Sequence, residues 1–459
     1  MAKNTIVQYS TTAGSNTDIQ SVNIDEGCPP SGINNAIREV MVDLAELSAG
    51  TQSLANLKTT ATTQIAAGAV GAPSLSFSAD TNTGIWQSAA DTLSVSAGGT
   101  EKFRVGDTPY AGDNLLDNGD MSIHQRGGTI SVNNTNLFTL DRWYFRESTG
   151  SSVDVSQSTD VPTSAEAGTA RSKFGSSLYV DATGASGGLG ANDFAFLQQT
   201  IEAQYCQDLG YGAAGAKPVT LSFWVKTNKT GQYGVSLYQE DGGRHYTSSY
   251  TVSGTGWAFY SVTFPGDASG TINNDTGGGL AVRWHLSTGS NYHATAGSWT
   301  AGTKFGSSGD VDGLDSGSNE WRLTGAKLEI GSVPTSFRFR PPGGELAACR
   351  RYYERLTPNT ASNQSIFQAY NVTSTVASGI FNYEHKRAAP TLTFTAGATF
   401  EVRHQTTTTV CTAAALSGSA DEDRALCNFT VSSGLTGGQG CIIRRNDSDT
   451  TYVEVSAEL

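Results

Sequence analysis

Residues 326–356 read AKLEIGSVPTSFRFRPPGGELAACRRYYERL, and their character changes halfway along. In the first half, Leu328 and Ile330 alternate with polar side chains, which is typical of a half-buried strand. The PPGG run that follows cannot continue a hydrogen-bonded ladder and predicts a hinge. Beyond it, apolar side chains recur every three or four residues as far as Leu356, which predicts a helix with a basic face. A strand is therefore expected to close one domain and a helix to open the next.

The composition favours an all-β chain. Charged residues make up 15% of the 459 residues and Gly occurs 53 times, against usual shares of about 25% and about 7%. Such a chain suits many short strands joined by many turns. At this length we expect two to four domains.

Charge and hydropathy exclude two classes of partner. The formal net charge is −13, which disfavours a broad grip on nucleic acid because phosphate binding needs a cationic surface. No run of eighteen apolar residues occurs, so we expect no membrane insertion. The start, MAKNTIVQYSTTAG, has no apolar core and predicts no signal peptide.

The reactive side chains are scattered. The six cysteines include no CxxC pair, and we expect buried free thiols, with a disulfide among the last three as the alternative. The six histidines form no HxH or HExxH motif, so no metal and no cofactor are expected. The acidic clusters at 310–320 and 421–423 fit solvated loops, with a structural Ca²⁺ at the first as the alternative.

The first clear helix begins after CPPSG and ends before Gly50. Its apolar residues step by four and three, which is the seam of a coiled coil and not the wider stripe of a globular helix. Two heptads are too short to be stable alone, so neighbouring copies are expected to cover the seam. The alternative is a helix packed within its own chain. The seam residues are Ile33, Ile37, Val40, Leu44 and Leu47.

Three motifs carry a resemblance to bacteriophage tail fibres. The segment from KLEIGS to RRYYERL resembles a domain-closing pattern that recurs in those proteins, and NLLDNGDMSIHQRGG (114–128) and LDRWYF (140–145) resemble the opening of the same domain. The resemblance implies a jelly-roll, carbohydrate-binding-module-like domain. Alternation in KPVTLSFWVKTN, with Val219 and Phe223 on one face, independently predicts a two-sheet sandwich there.

A smaller resemblance concerns residues 73–105, which hold four short strand-like runs separated by turn signals. So short a piece cannot enclose a core unaided. It resembles the small interlaced β-units of phage fibres, in which three chains share one core, and this implies a trimer. Leu75, Phe77, Ile85 and Trp86 are expected to contribute to that core.

The expected fold is mainly β, with a short coiled-coil helix near the amino terminus and a β-sandwich-like distal domain. The predicted divisions are a virion-anchoring segment (1–30), a trimeric coiled coil and linker (31–72), a small intertwined β-unit (73–113), the jelly roll (114–340), and a helix with the distal β domain (341–459). Residues 1–27 are expected to be irregular until a partner orders them.

Sugar binding needs exposed rings beside amide and hydroxyl groups, because pyranose faces stack on rings while sugar hydroxyls need directional partners. Two Gly-rich segments combine both, QEDGGRHYTSSY (239–250) and STGSNYHATAGSW (287–299). Packing in the core is the alternative role for each single ring, and Trp224 and Trp284 are further rings of this kind. The candidate carbohydrate-binding residues are Tyr238, Arg244, His245, Tyr246, Tyr250, Tyr292, His293 and Trp299. Distal loops such as HQTTTTV and SGSADEDRA form a second candidate surface.

The sequence thus predicts a non-enzymatic, homotrimeric tail fibre located in the virion. Its amino-terminal segment would contact tail or capsid proteins, and its β domains would contact a host surface glycan or outer-membrane receptor. One alternative is a head fibre or capsid decoration protein. A second is a glycan depolymerase tailspike, which would need paired carboxylates, and a third is a bacterial carbohydrate-binding adhesin.

Overall fold

The computed structural model describes residues 8–49, 64–88, 92–105, 113–166, 174–357, 364–446 and 451–459. The chain forms two compact units, Met1–Arg104 and Val105–Leu459. Of the predicted linker that ends at residue 72, only the part from residue 64 falls within this description. In the described ranges, no helix is both long and apolar enough to cross a membrane.

The first unit begins with a hairpin and a helix. Strands β1 (Asp18–Ile19) and β2 (Val22–Asn23) pair antiparallel, and helix α1 spans Pro30–Ser48, with Pro30 at its start. Pro suits this position because the first amides of a helix have no intrahelical acceptor. The predicted helix is confirmed.

Asp43, on the side of α1 that faces the hairpin, anchors the amino-terminal segment. Its carboxylate is fully buried and accepts hydrogen bonds from the Tyr9 hydroxyl and, at 3.0 Å, from Gln20 Nε2. The expectation that residues 1–27 are irregular is wrong for Asp18–Ile19 and Val22–Asn23, which form a hairpin, and this buried acceptor contacts the segment from within the same chain.

A four-stranded antiparallel sheet completes the first unit. Its strands match the four predicted runs, and they are β3 (Leu75–Phe77), β4 (Asp80–Trp86), β5 (Leu93–Ala97) and β6 (Thr100–Val105). Among its described strand positions, Gly84, Ser94 and Ser96 are buried, whereas Phe77 is 67% exposed. Among the side chains described up to residue 102, Ala36 is the only buried hydrophobic one. The first unit therefore has almost no apolar core of its own.

The second unit contains the predicted two-sheet sandwich. Its strands are β7 (Ile130–Asn133), β8 (Asn136–Phe138), β9 (Tyr144–Glu147), β10 (Ser152–Ser158), β11 (Ser177–Gly184), β12 (Phe194–Glu202), β13 (Val219–Thr227), β14 (Gly231–Gln239), β15 (Arg244–Val252), β16 (Ala258–Phe264), β17 (Gly278–Thr288), β18 (Trp299–Ala301) and β19 (Glu320–Ile330). One sheet has six strands, in the order β16-β13-β19-β11-β10-β7, and the other has seven, in the order β18-β15-β14-β17-β12-β9-β8.

The sandwich core lies between the two sheets. Val219, Leu221, Phe223 and Val225 of β13 are fully buried, as their alternation predicts, and the Phe223 ring meets Trp284 edge-on with centroids 5.6 Å apart. Each such side chain contributes about 1.5–3 kcal/mol when removed from water. The two sheets are held face to face by this apolar layer.

Helix α2 (Pro342–Arg350) follows the PPGG hinge, but it is shorter than predicted. Residues Tyr353–Leu356 form strand β20 and do not continue the helix. They pair antiparallel with residues near the carboxyl end of the chain, for example Tyr353 with Ser456. This long-range ladder overrides the local helical spacing.

The distal region is a closed barrel, which corrects the expected sandwich-like domain. Its strands are β21 (Ser365–Asn371), β22 (Val376–Asn382), β24 (Phe400–His404), β25 (Thr407–Ala420), β26 (Arg424–Val431) and β27 (Gly440–Arg445). They close in the order β21-β22-β26-β25-β24-β27 around Phe400 and Phe429. Strands β23 (Thr391–Phe394) and β28 (Val453–Ser456) form a second sheet with β20, in the order β20-β28-β23.

Strand β25 also corrects the predicted distal loops. Most of HQTTTTV and the Ser417–Ala420 part of SGSADEDRA lie in this strand and are not free loops. Pairing of Leu416 with Cys427 and of Ala420 with Ala425 holds the second segment in the barrel wall.

A joint of charged hydrogen bonds connects the sandwich to the barrel region. Arg142, at 2% exposure, lies 3.2 Å from a Glu458 carboxylate oxygen, and its guanidinium carbon is 3.3 Å from the Tyr352 ring centroid. Arg351 donates to both carboxylate oxygens of Glu202, at 2.7 and 2.9 Å. Because these charges are buried and paired, they fix α2 and the last strand against the end of β12.

Candidate functional site

The outward face of the seven-stranded sheet combines aromatic rings with polar side chains. Along β17, Val282 and Trp284 point into the core while Arg283 and His285 point outward; on β12, Leu197 points inward and Gln198 outward. Pleating produces this alternation, so outward residues of neighbouring strands form rows that cross the sheet.

One such row, which we call the sheet row, consists of Tyr238, Arg283, Gln198, Tyr144 and Phe138. Gln198 is paired in register with Arg283 on one side and Tyr144 on the other, and Tyr144 is paired with Phe138. The three rings are half-buried, whereas the two polar side chains are nearly buried. The row therefore has half-buried rings at both ends and two buried polar side chains, each 5% exposed, between them.

Arg283 holds the centre of the sheet row. Its Nε donates to Gln198 Oε1 at 2.8 Å, and its guanidinium carbon lies 4.4 Å from the Tyr238 ring centroid. A Glu240 carboxylate oxygen lies 3.8 Å from Arg283 Nη2. This arrangement fixes a planar donor group flat against a ring before any ligand arrives.

The electrostatics of the sheet row follow from burial. Burial lowers the pKa of Arg283 to about 10. The carboxylate of Glu240 acts to raise this pKa, and the like charge of Arg146 acts to lower it further. Burial likewise raises the pKa of Glu240, although Arg283 opposes this. Arg283 consequently stays charged at neutral pH, where it is a stronger donor than a neutral group.

Part of the same sheet face is covered by the segment that follows β17. Phe305 stacks on His285, with centroids 5.0 Å apart, and on Tyr292, with centroids 4.7 Å apart. Burial lowers the pKa of His285 well below its usual value, so its ring is neutral. We call this segment, which contains Tyr292 and Phe305, the cover. It lies over His285, whereas the rings of the sheet row are half-buried.

The structure separates the eight residues predicted from sequence. Tyr238 lies in the sheet row and Tyr292 in the cover. His293 is fixed by Nε2 against the Thr288 carbonyl oxygen at 2.9 Å. Arg244 is engaged by Asp267, with Nε 2.6 Å from a carboxylate oxygen. Burial acts to raise the pKa of Asp267, but hydrogen bonds from Arg244, Ser269 and Gln239 together lower it.

For three of these residues the expected exposure is wrong. His245 is buried, with Nδ1 2.8 Å from the Gly302 carbonyl oxygen, and Tyr246 and Tyr250 belong to the sandwich core. Trp299 packs against Tyr246, with centroids 5.6 Å apart, and donates from Nε1 to the Pro265 carbonyl. Tyr246 and Tyr250 share one parity on β15 and point inward, so neither presents a ring face to solvent. Trp284 is likewise fully buried.

Sequence reasoning missed Arg283, Gln198, Tyr144 and Phe138. For Arg283 the signal was present in the alternating string LAVRWHL, in which Arg283 and His285 take the parity opposite to Val282 and Trp284. Gln198, Tyr144 and Phe138 carried no comparable local signal. Attention to rings in Gly-rich segments led away from these strands.

The predicted oligomerisation residues fall mainly on exposed surface of the first unit. Ile37 and Leu44 are 56% and 52% exposed, and Ile33 is similar, while Val40, Leu47 and Trp86 are half-buried. Leu75, Phe77 and Ile85 of the small sheet are also exposed. Apolar surface of this extent is typical of an interface.

The acidic cluster at 310–320 is used within the sandwich. Asp310 accepts from Gln232 at 2.9 Å, Asp312 from Ser287 at 2.6 Å, and Asp315 pairs with Lys229. In the part of the chain that the structure describes, no group of three or more His, Cys, Asp or Glu side chains is arranged to hold a metal ion. Each of these three carboxylates thus has a structural role.

No family model and no curated protein matches the chain. Similar solved structures include the carbohydrate-binding module CBM4 (14% identity, 47% of this chain, 99% of that chain, TM-score 0.24). Another is the CBM22-1 xylan-binding domain of Paenibacillus barcinonensis Xyn10C (11%, 50%, 100%, 0.25). A third is the family 11 module of Clostridium thermocellum in complex with a β-1,3-1,4-mixed-linked tetrasaccharide (14%, 45%, 98%, 0.23). At these scores the likeness carries no argument about what this chain binds.

Proposed function

We propose that this chain is a non-enzymatic, homotrimeric fibre protein of a bacteriophage virion that attaches to a glycan on the host surface. The sheet row carries the glycan part of the proposal. Half-buried rings at its two ends suit pyranose faces, and Arg283 and Gln198 between them suit sugar hydroxyls. Weak binding at each site would be strengthened by several copies on one particle.

The near-absence of an apolar core in the first unit supports the trimer. Exposed isoleucines and leucines on α1 and the exposed Phe77 ring in the small sheet leave apolar surface that other copies of the chain would cover. The attachment of residues 1–30 to tail proteins, and the location in the virion, rest on the resemblance of the three motifs to tail fibres.

A head fibre or capsid decoration protein would share this architecture, and imaging of the virion distinguishes the two positions. A depolymerase is less well supported, because glycoside hydrolysis uses two carboxyl groups across the scissile bond. The carboxylate nearest the centre of the sheet row, Glu240, lies 3.8 Å from the Arg283 guanidinium, so it is placed as an ion-pair partner.

Glycan binding is tested with Tyr238→Ala and Tyr238→Phe in the full chain, applied to an array of bacterial surface polysaccharides and oligosaccharides. Tyr238→Ala should weaken binding roughly tenfold by removing a stacking face, whereas Tyr238→Phe should keep most of it. Tyr370→Ala, an exposed tyrosine on the barrel, is the control. If Tyr238→Ala binds the array as tightly as the wild type, the proposed role of the sheet row is contradicted.

A further inference from the structure

A deep cleft of about 850 Å³ lies away from the sheet row, within the second unit. Its walls are the seven-residue 3-10 helix Ala203–Leu209 after β12, the connector that carries Arg338 to Pro341, and helix α2. It shares no residue with the sheet row. Its volume lies within the range of about 300–1,000 Å³ usual for ligand pockets.

Two exposed rings line this cleft. Tyr205 is 52% exposed and Phe339 is 43% exposed, whereas Cys206 and Leu209 beside Tyr205 are buried. Leu115, Ile201 and Ile330 add apolar surface to the lining. Exposed rings beside an apolar wall suit a ligand that has flat hydrophobic faces.

The charges around the cleft are largely balanced. Arg340 pairs with Asp117 at 2.9 Å, Arg142 is shared between Asp117 and Glu458, and Arg351 is held by Glu202. Carboxylates neutralise these three guanidiniums, and the remaining charged side chains of the lining are Arg338, Asp113 and Asp208. Basic and acidic groups therefore occur together around the cleft, which does not favour a strongly charged ligand of either sign. Polar side chains at its edge, such as Gln204 and Asp208, supply donors and acceptors.

We infer that this cleft is a second saccharide site that takes an uncharged oligosaccharide. The pyranose faces stack on Tyr205 and Phe339, and the hydroxyls meet the polar edge. The inference extends the proposed glycan attachment to a separate place and rests on that function for its class of ligand. Since α2 and the connector form one wall and the sandwich forms the other, the site needs both parts of the second unit in place.

The test uses the full chain with uncharged β-1,4-linked gluco-, xylo- and galacto-oligosaccharides, and with galacturonate oligomers as the charged probe. Backbone hydrogen exchange is measured across a concentration series of each sugar. An uncharged probe should slow exchange in residues 203–209 and 338–352. Tyr205→Ala and Phe339→Ala should each raise the half-maximal concentration roughly tenfold.

Matched controls come from the same chain. Tyr370→Ala removes a tyrosine of 53% exposure from the barrel, and Phe259→Ala removes a phenylalanine of 47% exposure from the six-stranded sheet. Both should leave the protection of 203–209 and 338–352 unchanged. Tyr238→Ala should also leave it unchanged, because the sheet row is elsewhere.

Three results would overturn the cleft site. In the first, Tyr238→Ala abolishes the slowed exchange of 203–209 and 338–352 and Tyr205→Ala does not. The sugar would then bind only at the sheet row, and the proposed function would stand without a second site. Protection by the galacturonate oligomers alone would contradict the uncharged class. In the third, Tyr205→Ala changes the number of associated chains in ultracentrifugation but does not change sugar-dependent exchange. The cleft would then be a contact between two copies of the chain. If no sugar binds anywhere on the chain, the proposed function fails as well.

Discussion

Arg142 and Tyr352 are stacked face to face in the interior of the second unit, with the guanidinium carbon 3.3 Å from the ring centroid. Burial alone would lower the pKa of Arg142, but Tyr352, Glu458 and Asp117 raise it, so the side chain is permanently charged. It also donates to the Thr200 carbonyl oxygen at 2.6 Å. One cation thus holds strand β12, helix α2 and the carboxyl-terminal residues together.

Replacing this cation should be strongly destabilising. In Arg142→Met the Glu458 and Asp117 carboxylates lose a buried partner, and we expect a loss of roughly 3–5 kcal/mol in the free energy of unfolding. Denaturant titration followed by tryptophan fluorescence measures it. Arg403→Met, on the exposed surface of the barrel, is the control and should change stability by less than about 0.5 kcal/mol. Equal effects of the two variants would contradict the joint.

The Arg351–Glu202 pair makes part of the stability depend on pH. Burial acts to raise the pKa of Glu202, but hydrogen bonds from Arg351 and Tyr352 outweigh it and hold the pKa below the ordinary value of 4.5. A carboxyl whose folded-state pKa is lowered stabilises the fold above its unfolded value, and this contribution disappears as the pH falls through the folded value. Thermal unfolding of the wild type and Arg351→Met should therefore differ most at neutral pH.

That difference should shrink as the pH falls below 4.5, because Glu202 then becomes protonated in both proteins. Arg351→Lys keeps the charge but loses the two-point contact, so it should fall between the other two. A gap between wild type and Arg351→Met that stays constant down to strongly acidic pH would show that Glu202 is not the group responsible.

The exposed seam of α1 predicts the behaviour of the assembly. Ile37→Asp with Leu44→Asp should leave a single chain in sedimentation, since a shared core would otherwise bury charges without partners. Asn34→Asp with Asn35→Asp adds the same charge at exposed polar positions of the same helix and should assemble normally. Identical sedimentation of the wild type and the Ile37/Leu44 variant would remove the support for the trimer.

The thiols predict a simple labelling pattern. Cys28 is half-buried, while Cys206, Cys349, Cys411, Cys427 and Cys441 are buried and free, in agreement with the expectation from sequence. Burial raises the pKa of Cys206, Cys411 and Cys427 to about 12, which suppresses the reactive thiolate. An aromatic disulfide reagent should label only Cys28 in the native protein and all six thiols after denaturation. Rapid native labelling of a second cysteine would contradict this core.

The sandwich could be predicted because its information is local. Alternation placed Val219 and Phe223 in the core, and Gly-rich turns separated the strands. Strand β20 could not be predicted in the same way, since Tyr353 and Leu356 fit a helical spacing and their partners Ser456 and Val453 lie about 100 residues later. Barrel closure depends likewise on the pairing of β24 with β27, which no local pattern records.

The sheet row shows a different limit. Tyr238 and Tyr250 look equivalent in sequence, and both lie on strands of the same sheet. Only the register of β14 and β15 decides that Tyr250 stacks on Tyr233 in the core while Tyr238 contacts Arg283 outside. Arg283 itself gives no ring signal, so it emerges only when neighbouring strands are aligned.

The joint around Arg142 has a mechanical consequence. The barrel region and the sandwich are also joined by further hydrogen bonds, including Arg387 Nη1 to the Thr276 carbonyl at 2.7 Å and Gln125 Nε2 to the Tyr353 carbonyl at 2.8 Å. A force applied to the barrel would load these bonds and the Arg142 contacts in parallel, so several of them share it before the sandwich is separated from the barrel.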